Sequence, residues 1–196
     1  PVLSADLYAG EYYDANKQIK NWNCADFMDS GWTSCMEANY GYENLVSQIG
    51  EPVIIVKELP VSRLTKSPKG EWILDFGQNI AGFVRMKVNA PKGTQITLEH
   101  CEILDKQGNF FNNIQGAGGV GKGVDQKDVY VCDGTSATYE PHFTYHGFRY
   151  VRVTGIEPKA EDFTACVVST EKENLGTFKT SDERLNRLYK NIRWSQ

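Results

Sequence analysis

The sequence predicts an all-β chain: an antiparallel sandwich followed by a single C-terminal amphipathic helix. Three observations carry that prediction. Apolar and polar side chains alternate with a two-residue period through most of the chain, Gly/Pro turns separate the alternating runs, and helical spacing appears only after residue 180.

The elements are taken in chain order. Pro1 to Asn39 is aromatic, acidic and irregular, with Leu7, Tyr8, Tyr12 and Tyr13 crowded around Gly10, then Trp22, Phe27 and Trp32. Asn23, Asp26, Asp29, Ser30 and Gly31 are turn formers among the large rings. The stretch therefore reads as a loop that packs its aromatics on a neighbouring surface, with at most one helical turn. Gly50-Glu51-Pro52 opens the first clear strand, Val53 to Lys57, and Trp72 to Phe76 is a second, short one. In Phe83 to Asn89, Val84, Met86 and Val88 take one face while Arg85, Lys87 and Asn89 take the other. Ala90-Pro91-Lys92-Gly93 then turns the chain into Gln95 to Glu102, where Ile96, Leu98 and His100 oppose Thr97, Glu99 and Cys101. Pro presets one backbone angle of that turn and Gly permits the other, which makes it a hairpin signal. Further strands are expected at Asp128–Cys132, Phe148–Thr154, Phe163–Thr170 and Leu175–Lys179, with no βαβ rhythm.

Thr180-Ser181-Asp182 offers a helix N-cap, and Asp182 and Glu183 suit the positive end of the helix dipole. Leu185, Leu188, Tyr189 and Ile192 then share one face. A helix this short is stabilised mainly by burying such a face. It can dock back on the sandwich, or belong to a helical domain downstream, and the stop at Gln196 favours the second. The N-terminus, Pro1-Val2-Leu3-Ser4, likewise reads as the start of an excised segment, and nothing in it assigns a compartment.

Composition narrows the function. The 196 residues carry a net charge of -4 and no dense Lys/Arg stripe, which argues against nucleic acid as a partner. No apolar run approaches the ~18 residues of a membrane span, so no membrane partner is expected. The 5 Cys are scattered and odd in number, against a disulfide framework or a thiolate zinc site.

Each motif has a plainer role to set beside its chemical one. Gly116-Ala117-Gly118-Gly119-Val120-Gly121-Lys122-Gly123 has the G-x-x-x-x-G-K spacing of a phosphate loop. It lacks the Ser/Thr that binds magnesium, a buried strand before it and a helix after it, so a surface loop is the stronger reading and nucleotide binding a distant alternative. Glu99 reads as a solvated charge on an exposed strand face. Asp75, in Asp75-Phe76-Gly77-Gln78-Asn79, reads as an Asx-type turn ahead of ligand binding. His142 and His146 bracket a strand edge but lack a third metal ligand, because His100 is expected on a distant strand. In His146-Gly147-Phe148-Arg149-Tyr150, Gly147 is expected to take an unusual backbone angle and Arg149 to pair with a carboxylate. No nucleophile motif stands out, and neither a cofactor nor a metal is expected.

With those residues in place, the chain resembles the bacterial α-L-rhamnosidases of glycoside hydrolase family 78. Gly10-Glu11-Tyr12-Tyr13-Asp14-Ala15 is similar to the family's G-E-x-Y-D-A-R with Asn16 for Arg, and Asp29-Ser30-Gly31-Trp32 to its D-D-S-x-W. Asp75-Phe76-Gly77-Gln78-Asn79 with Ala81-Gly82-Phe83-Val84-Arg85 resembles D-F-G-Q-N-x-x-G-W-V-R, Phe83 replacing Trp. Pro91 to Thr94 and Thr97 to Glu102 resemble G-P-x-G-T and L-R-H-A-E, and Tyr139 to Tyr150 resembles Y-E-P-R-F-T-Y-H-G-F-R-Y. The glycine run departs from the pattern and looks like a local insertion.

The resemblance implies a concanavalin-like or jelly-roll type sandwich at residues 51–180, with the tail of an N-terminal domain and an aromatic linker at 1–50. Residues 181–196 would be the first helix of an (α/α)6 barrel that carries the acid and base of an inverting hydrolysis. None of the family's catalytic carboxylates maps onto this chain. Its expected role is a non-catalytic module whose main partner is that barrel. The alternative is a carbohydrate-binding module for rhamnose or rhamnosylated sugars, using Tyr145, Phe148 and Tyr150. The motif residues expected at a domain contact are Asp75, Gln78, Asn79, His146 and Arg149.

Overall fold

The computed structural model describes residues 1–113, 125–170 and 175–195. The chain is mostly β, with strands β1 (Val2–Asp6), β2 (Gly10–Asp14), β3 (Val53–Pro60), β4 (Arg63–Lys66) and β5 (Trp72–Val88) in its first half. β6 (Gln95–Cys101), β7 (Lys127–Val131), β8 (Ala137–Tyr139), β9 (His146–Thr154) and β10 (Phe163–Thr170) make up the second half, and the one α-helix among the described residues is α1 (Glu183–Ser195). All ten strands join one curled sheet in the order β1-β2-β7-β6-β9-β5-β10-β3, with β4 and β8 also paired to β5.

β5 makes the curl. The sequence suggests two strands here, Trp72–Phe76 and Phe83–Asn89, but the structure makes one, whose pairing with β9 breaks after Asp75 and resumes at Ile80 in a shifted register. The bend sits on Gly77, whose φ of +76 an L side chain rarely adopts. Before the bend β5 pairs with β4. After it, β5 pairs with β10 and β8. Gly82 lets β5 and β10 close up, because a Cβ there would stand 2.0 Å from the Cys166 carbonyl oxygen.

Alternation places the core as expected. Val84, Met86 and Val88 of β5, Ile96 and Leu98 of β6, and Phe148, Val151 and Val153 of β9 are all buried, joined by Phe163 and Ala165 of β10. Each large side chain of this kind contributes about 1.5–3 kcal/mol on burial. Thr97 and Cys101, expected on the outer face of β6, are buried as well, so that strand is covered on both sides.

Several expectations need correction. Residues 2–14 form the β1–β2 hairpin, turned by the Asp6 carboxylate, which accepts from Tyr8 and Ala9 N–H (2.8 and 3.0 Å). β2 then pairs with β7 in parallel, so the sheet is mixed. Of the aromatics expected to pack, Tyr13 is buried in the core, whereas Trp22 and Trp32 are exposed. No strand covers Leu175–Lys179. Gly147 lies within β9, opposite Ala81, without a positive φ. The glycine run at 116–123 lies outside the described residues.

Candidate functional site

The expected motif residues fall on two sides of the sheet. On its outer face the β5 bend meets β9. Asp75 Oδ1 accepts from Gly77 N–H at 2.7 Å and from Arg149 Nε at 2.9 Å, while Oδ2 accepts from the Arg149 Nη2 at 3.0 Å. One carboxylate thus closes the turn and forms a bidentate pair. Burial pulls the Asp75 pKa up, but the Arg149 guanidinium and the Gly77 amide outweigh it and hold the carboxyl below its usual range. The Arg149 guanidinium also lies 4.9 Å from the centre of the Tyr150 ring.

The same arrangement recurs along the face. Arg152 binds Glu71 (2.6 Å) and Glu99 (2.8 Å) and stacks over Phe110 at 4.2 Å. Glu99 is therefore a half-buried ion-pair partner rather than a solvated charge. Burial raises the Glu71 pKa, yet Arg152, Phe110 N–H and the Ser67 hydroxyl leave it net lowered. Arg85 bridges Glu58 and Glu140. Gln78 and Asn79 are exposed at the bend. Asn79 Nδ2 donates to Glu102 (3.3 Å), and its carbonyl accepts from Trp194 Nε1 of α1 at 2.9 Å. Gln78, Asn79, Glu102, Arg187, Lys190 and Trp194 line an open pocket of about 750 Å³ between sheet and helix.

α1 begins as its sequence suggests, with Asp182 accepting from Arg184 N–H at 2.9 Å. Its one buried residue is Asn186, whose amide exchanges hydrogen bonds with the Thr180 backbone (2.8 and 2.9 Å). Leu185, Leu188 and Ile192 are 47%, 54% and 51% exposed, so the apolar face does not pack on the sandwich. Of the three aromatics considered for sugar contact, Tyr145 is exposed and Tyr150 half-buried. Phe148 is fully buried, edge-on to Phe76 and His100, and has no surface to offer a ligand.

On the inner side, β2 is clamped to the rest of the sheet by Glu11 and Asp128, which the sequence reading gives no role, and His146, expected at a domain contact, is buried there at 2% exposure. Glu11, 1% exposed, accepts from Tyr139 OH (3.0 Å), His142 N–H (2.8 Å) and Phe143 N–H (3.3 Å), with His142 Nδ1 at 2.9 Å. Tyr13 stacks between Tyr130 and His142, with ring centroids 5.5 and 5.2 Å away. Asp128 reaches from β7 to accept Glu11 N–H (3.0 Å) and to meet His146 Nε2 at 3.1 Å. His146 is therefore buried against Asp128, and His100 lies beside it, with ring centroids 4.3 Å apart. The expectation that His100 is distant fails because β6 and β9 are paired neighbours, a relation between strands far apart in sequence. Spacing separates the two histidines by 46 residues and register brings them together.

Comparison with known proteins gives a consistent result. Residues 65–169 match the model of the bacterial alpha-L-rhamnosidase concanavalin-like domain, and residues 1–57 match that of the alpha-L-rhamnosidase N-terminal domain. An alpha-L-rhamnosidase of Streptomyces avermitilis is 38% identical over 201 residues, which covers 100% of this chain and 19% of the relative. Among solved structures, native alpha-L-rhamnosidase from Aspergillus terreus superposes with a TM-score of 0.87 at 34% identity, covering 100% of this chain and 22% of that one. The Streptomyces avermitilis alpha-L-rhamnosidase complexed with L-rhamnose gives 0.86 at 37%, covering 100% and 19%. The chain thus spans about a fifth of the length of the relatives it matches.

Proposed function

Since the chain belongs to the bacterial alpha-L-rhamnosidase family, we propose that it is the non-catalytic β part of a longer enzyme that hydrolyses terminal α-L-rhamnosyl residues. One observation carries the non-catalytic half of this reading. A glycosidase acid must hold its proton near neutral pH, and its partner carboxylate must face it across a cleft. Five carboxylates of the outer face are instead committed to arginines, Asp75 to Arg149, Glu71 and Glu99 to Arg152, and Glu58 and Glu140 to Arg85, while Glu102 accepts from the Asn79 and Asn113 amides. Asp75 and Glu71 are shifted away from the protonated form, the opposite of what an acid catalyst needs.

In this reading residues 51–180 are the bracing sandwich, residues 1–50 come from the end of a preceding domain and its linker, with their β1–β2 hairpin built into the sandwich's sheet, and 181–196 are the start of the catalytic (α/α)6 domain. The pairing of β3 with β10 supports a boundary just ahead of Val53. The exposed Leu185, Leu188 and Ile192 support a helical partner for α1. The β5 bend, with Gln78 and Asn79 beside Trp194, is the contact we assign between the two.

Two assays of rhamnose release from an aryl α-L-rhamnoside test this. The whole protein should release rhamnose, and residues 1–196 alone should release none. Turnover by the 196-residue chain would overturn the non-catalytic role, and an inactive whole protein would overturn the assigned activity.

A further inference from the structure

Besides the arginine pairs and the Glu11 seam, the described residues hold a further ionisable cluster. His100 of β6, Asp128 of β7 and His146 of β9 come from three strands adjacent in the order β7-β6-β9, and they are 0%, 1% and 2% exposed. One ring nitrogen of each histidine and a carboxylate oxygen all lie within 4.8 Å of one another.

Three features set this cluster apart from a satisfied polar core. The Asp128 carboxylate faces no Lys or Arg among the described residues, and only the two imidazoles lie within ion-pair distance. A buried charge is costly unless a cation neutralises it. Next, His100 Nδ1 stands 2.8 Å from the Gln126 carbonyl. A carbonyl only accepts, so Nδ1 carries the proton and the neutral ring presents a bare lone pair at Nε2, which is buried without a partner. His146 Nδ1 and Gln126 Oε1 are buried without partners as well. Finally, Gln126, whose carbonyl fixes the His100 ring, has a φ of 45, a strained value for a residue other than glycine.

An imidazole whose far nitrogen is fixed by a backbone carbonyl, beside a second imidazole and a carboxylate, is a donor set suited to a divalent first-row metal ion. Ligands of a tetrahedral ion held at about 2.1 Å stand roughly 3.4 Å apart. His146 Nε2 and Asp128 Oδ1, 3.1 Å apart, already fit that spacing. His100 Nε2 is 3.9 Å from Asp128 Oδ2, and the ligand atoms, within 4.8 Å of one another, draw closer when the ion binds.

We propose that His100, Asp128 and His146 bind one divalent first-row metal ion, with Zn²⁺ as the ion to test. The ion supplies the positive charge that Asp128 lacks and ties β6, β7 and β9 together where β2 joins them through Glu11 N–H. Its role is structural, because groups this buried admit no substrate.

The test begins with protein stripped by a chelator, given Zn²⁺ and desalted. Elemental analysis should find one zinc per chain, and thermal unfolding should occur at a higher temperature than in the stripped protein. With Co²⁺ the visible spectrum should show nitrogen and oxygen coordination without a thiolate charge-transfer band, which separates this site from Cys24 or Cys35. Asp128→Asn and His100→Gln should each lose the metal and the thermal response to it. Because the unaltered protein gives its own readout, a variant that fails to fold does not remove the test. Absence of retained zinc together with identical unfolding with zinc and with chelator would overturn the proposal. Zinc retained by a folded Asp128→Asn protein would overturn it too.

Discussion

The β1–β2 hairpin and α1 both lie against the same sheet, yet they are held by different means. The hairpin buries a carboxylate and an aromatic ring: Glu11 collects three donors from the β8–β9 segment, and Tyr13 is stacked between Tyr130 and His142. α1 touches the sheet through Trp194, with its indole N–H on the Asn79 carbonyl and Lys57 5.4 Å above its ring, while most of its apolar face stays in water. The difference shows that sequence adjacency to a domain does not decide which segments are part of it. A segment belongs to the core when its removal would strand buried partners, and by that standard the hairpin belongs and the helix does not.

The strongest way to break this comparison is to remove Glu11. Glu11→Ala strands the buried Tyr139 OH and two part-buried backbone N–H groups. A buried group left unpaired costs about 1–3 kcal/mol and a part-buried one less, so a loss of about 2 kcal/mol or more is expected. Urea unfolding measures it. Glu11→Gln keeps an acceptor oxygen of similar reach and should lose less. If Glu11→Ala unfolds at the parent's urea midpoint, the seam is not what holds the hairpin.

Acid offers a second, smaller perturbation, directed at the sheet between the two ends. Asp75 and Glu71 both have folded pKa values below their unfolded ones, despite the upward pull of burial, because Arg149 and Arg152 hold them ionised. The unfolded chain therefore binds more protons as pH drops. Their stabilisation is full above the unfolded values of about 4 and is lost as pH falls through the lower folded values. The unfolding temperature should accordingly fall between about pH 5 and about pH 2, and Arg149→Ala should flatten the Asp75 share of that fall. A wild-type and an Arg149→Ala profile of equal steepness would show that the Asp75 pair contributes nothing to acid stability.

How much of the fold and the site is legible in the sequence depends on the kind of contact. The strands of the core are legible because Val84, Met86 and Val88, or Ile96 and Leu98, alternate against polar neighbours, and each window carries its own signal. The pairing of Arg149 with a carboxylate and the turn at Asp75 are legible as well, since residue type and a following glycine imply them. β2 is not, because its buried positions include Glu11, which breaks the apolar pattern that marks an inward face. β5 reads as two strands because Gly77, Gln78 and Asn79 carry a turn signature, whereas pairing with the same strand β9 on both sides of the bend makes it one strand. The His100–Asp128–His146 cluster depends on register among three strands, and single-window reasoning has no access to register. The family motifs do contain His100 and His146, but as a string in which a buried clamp and a surface contact look alike. Phe148, a sugar-stacking candidate by its motif and a central core residue by its burial, shows that confusion directly.

Asp75→Asn separates two roles that one carboxylate performs on the outer face. Asparagine keeps an oxygen for Gly77 N–H, so the turn should persist. The bidentate pair with Arg149 is lost, and for a partly exposed pair that is a loss of about 1 kcal/mol. A loss near that of Glu11→Ala would mean that the bend depends on the ion pair, and that the outer face rivals the seam in holding the fold.

The smallest expected effect lies on α1. Leu188 is 54% exposed, so Leu188→Ser removes little buried surface from this chain and gives up only a few tenths of a kcal/mol of helix propensity. The 196-residue chain should unfold within about 0.5 kcal/mol of the parent. The same substitution in the whole protein should behave differently if a helical domain covers this face, because a large-to-small change at a buried leucine costs about 2 kcal/mol or more. The gap between the two values thus measures how far α1 belongs to a helical partner and not to the sheet. Equal, near-zero costs in both would leave Leu188 solvent-facing throughout and remove the support it gives to that partner.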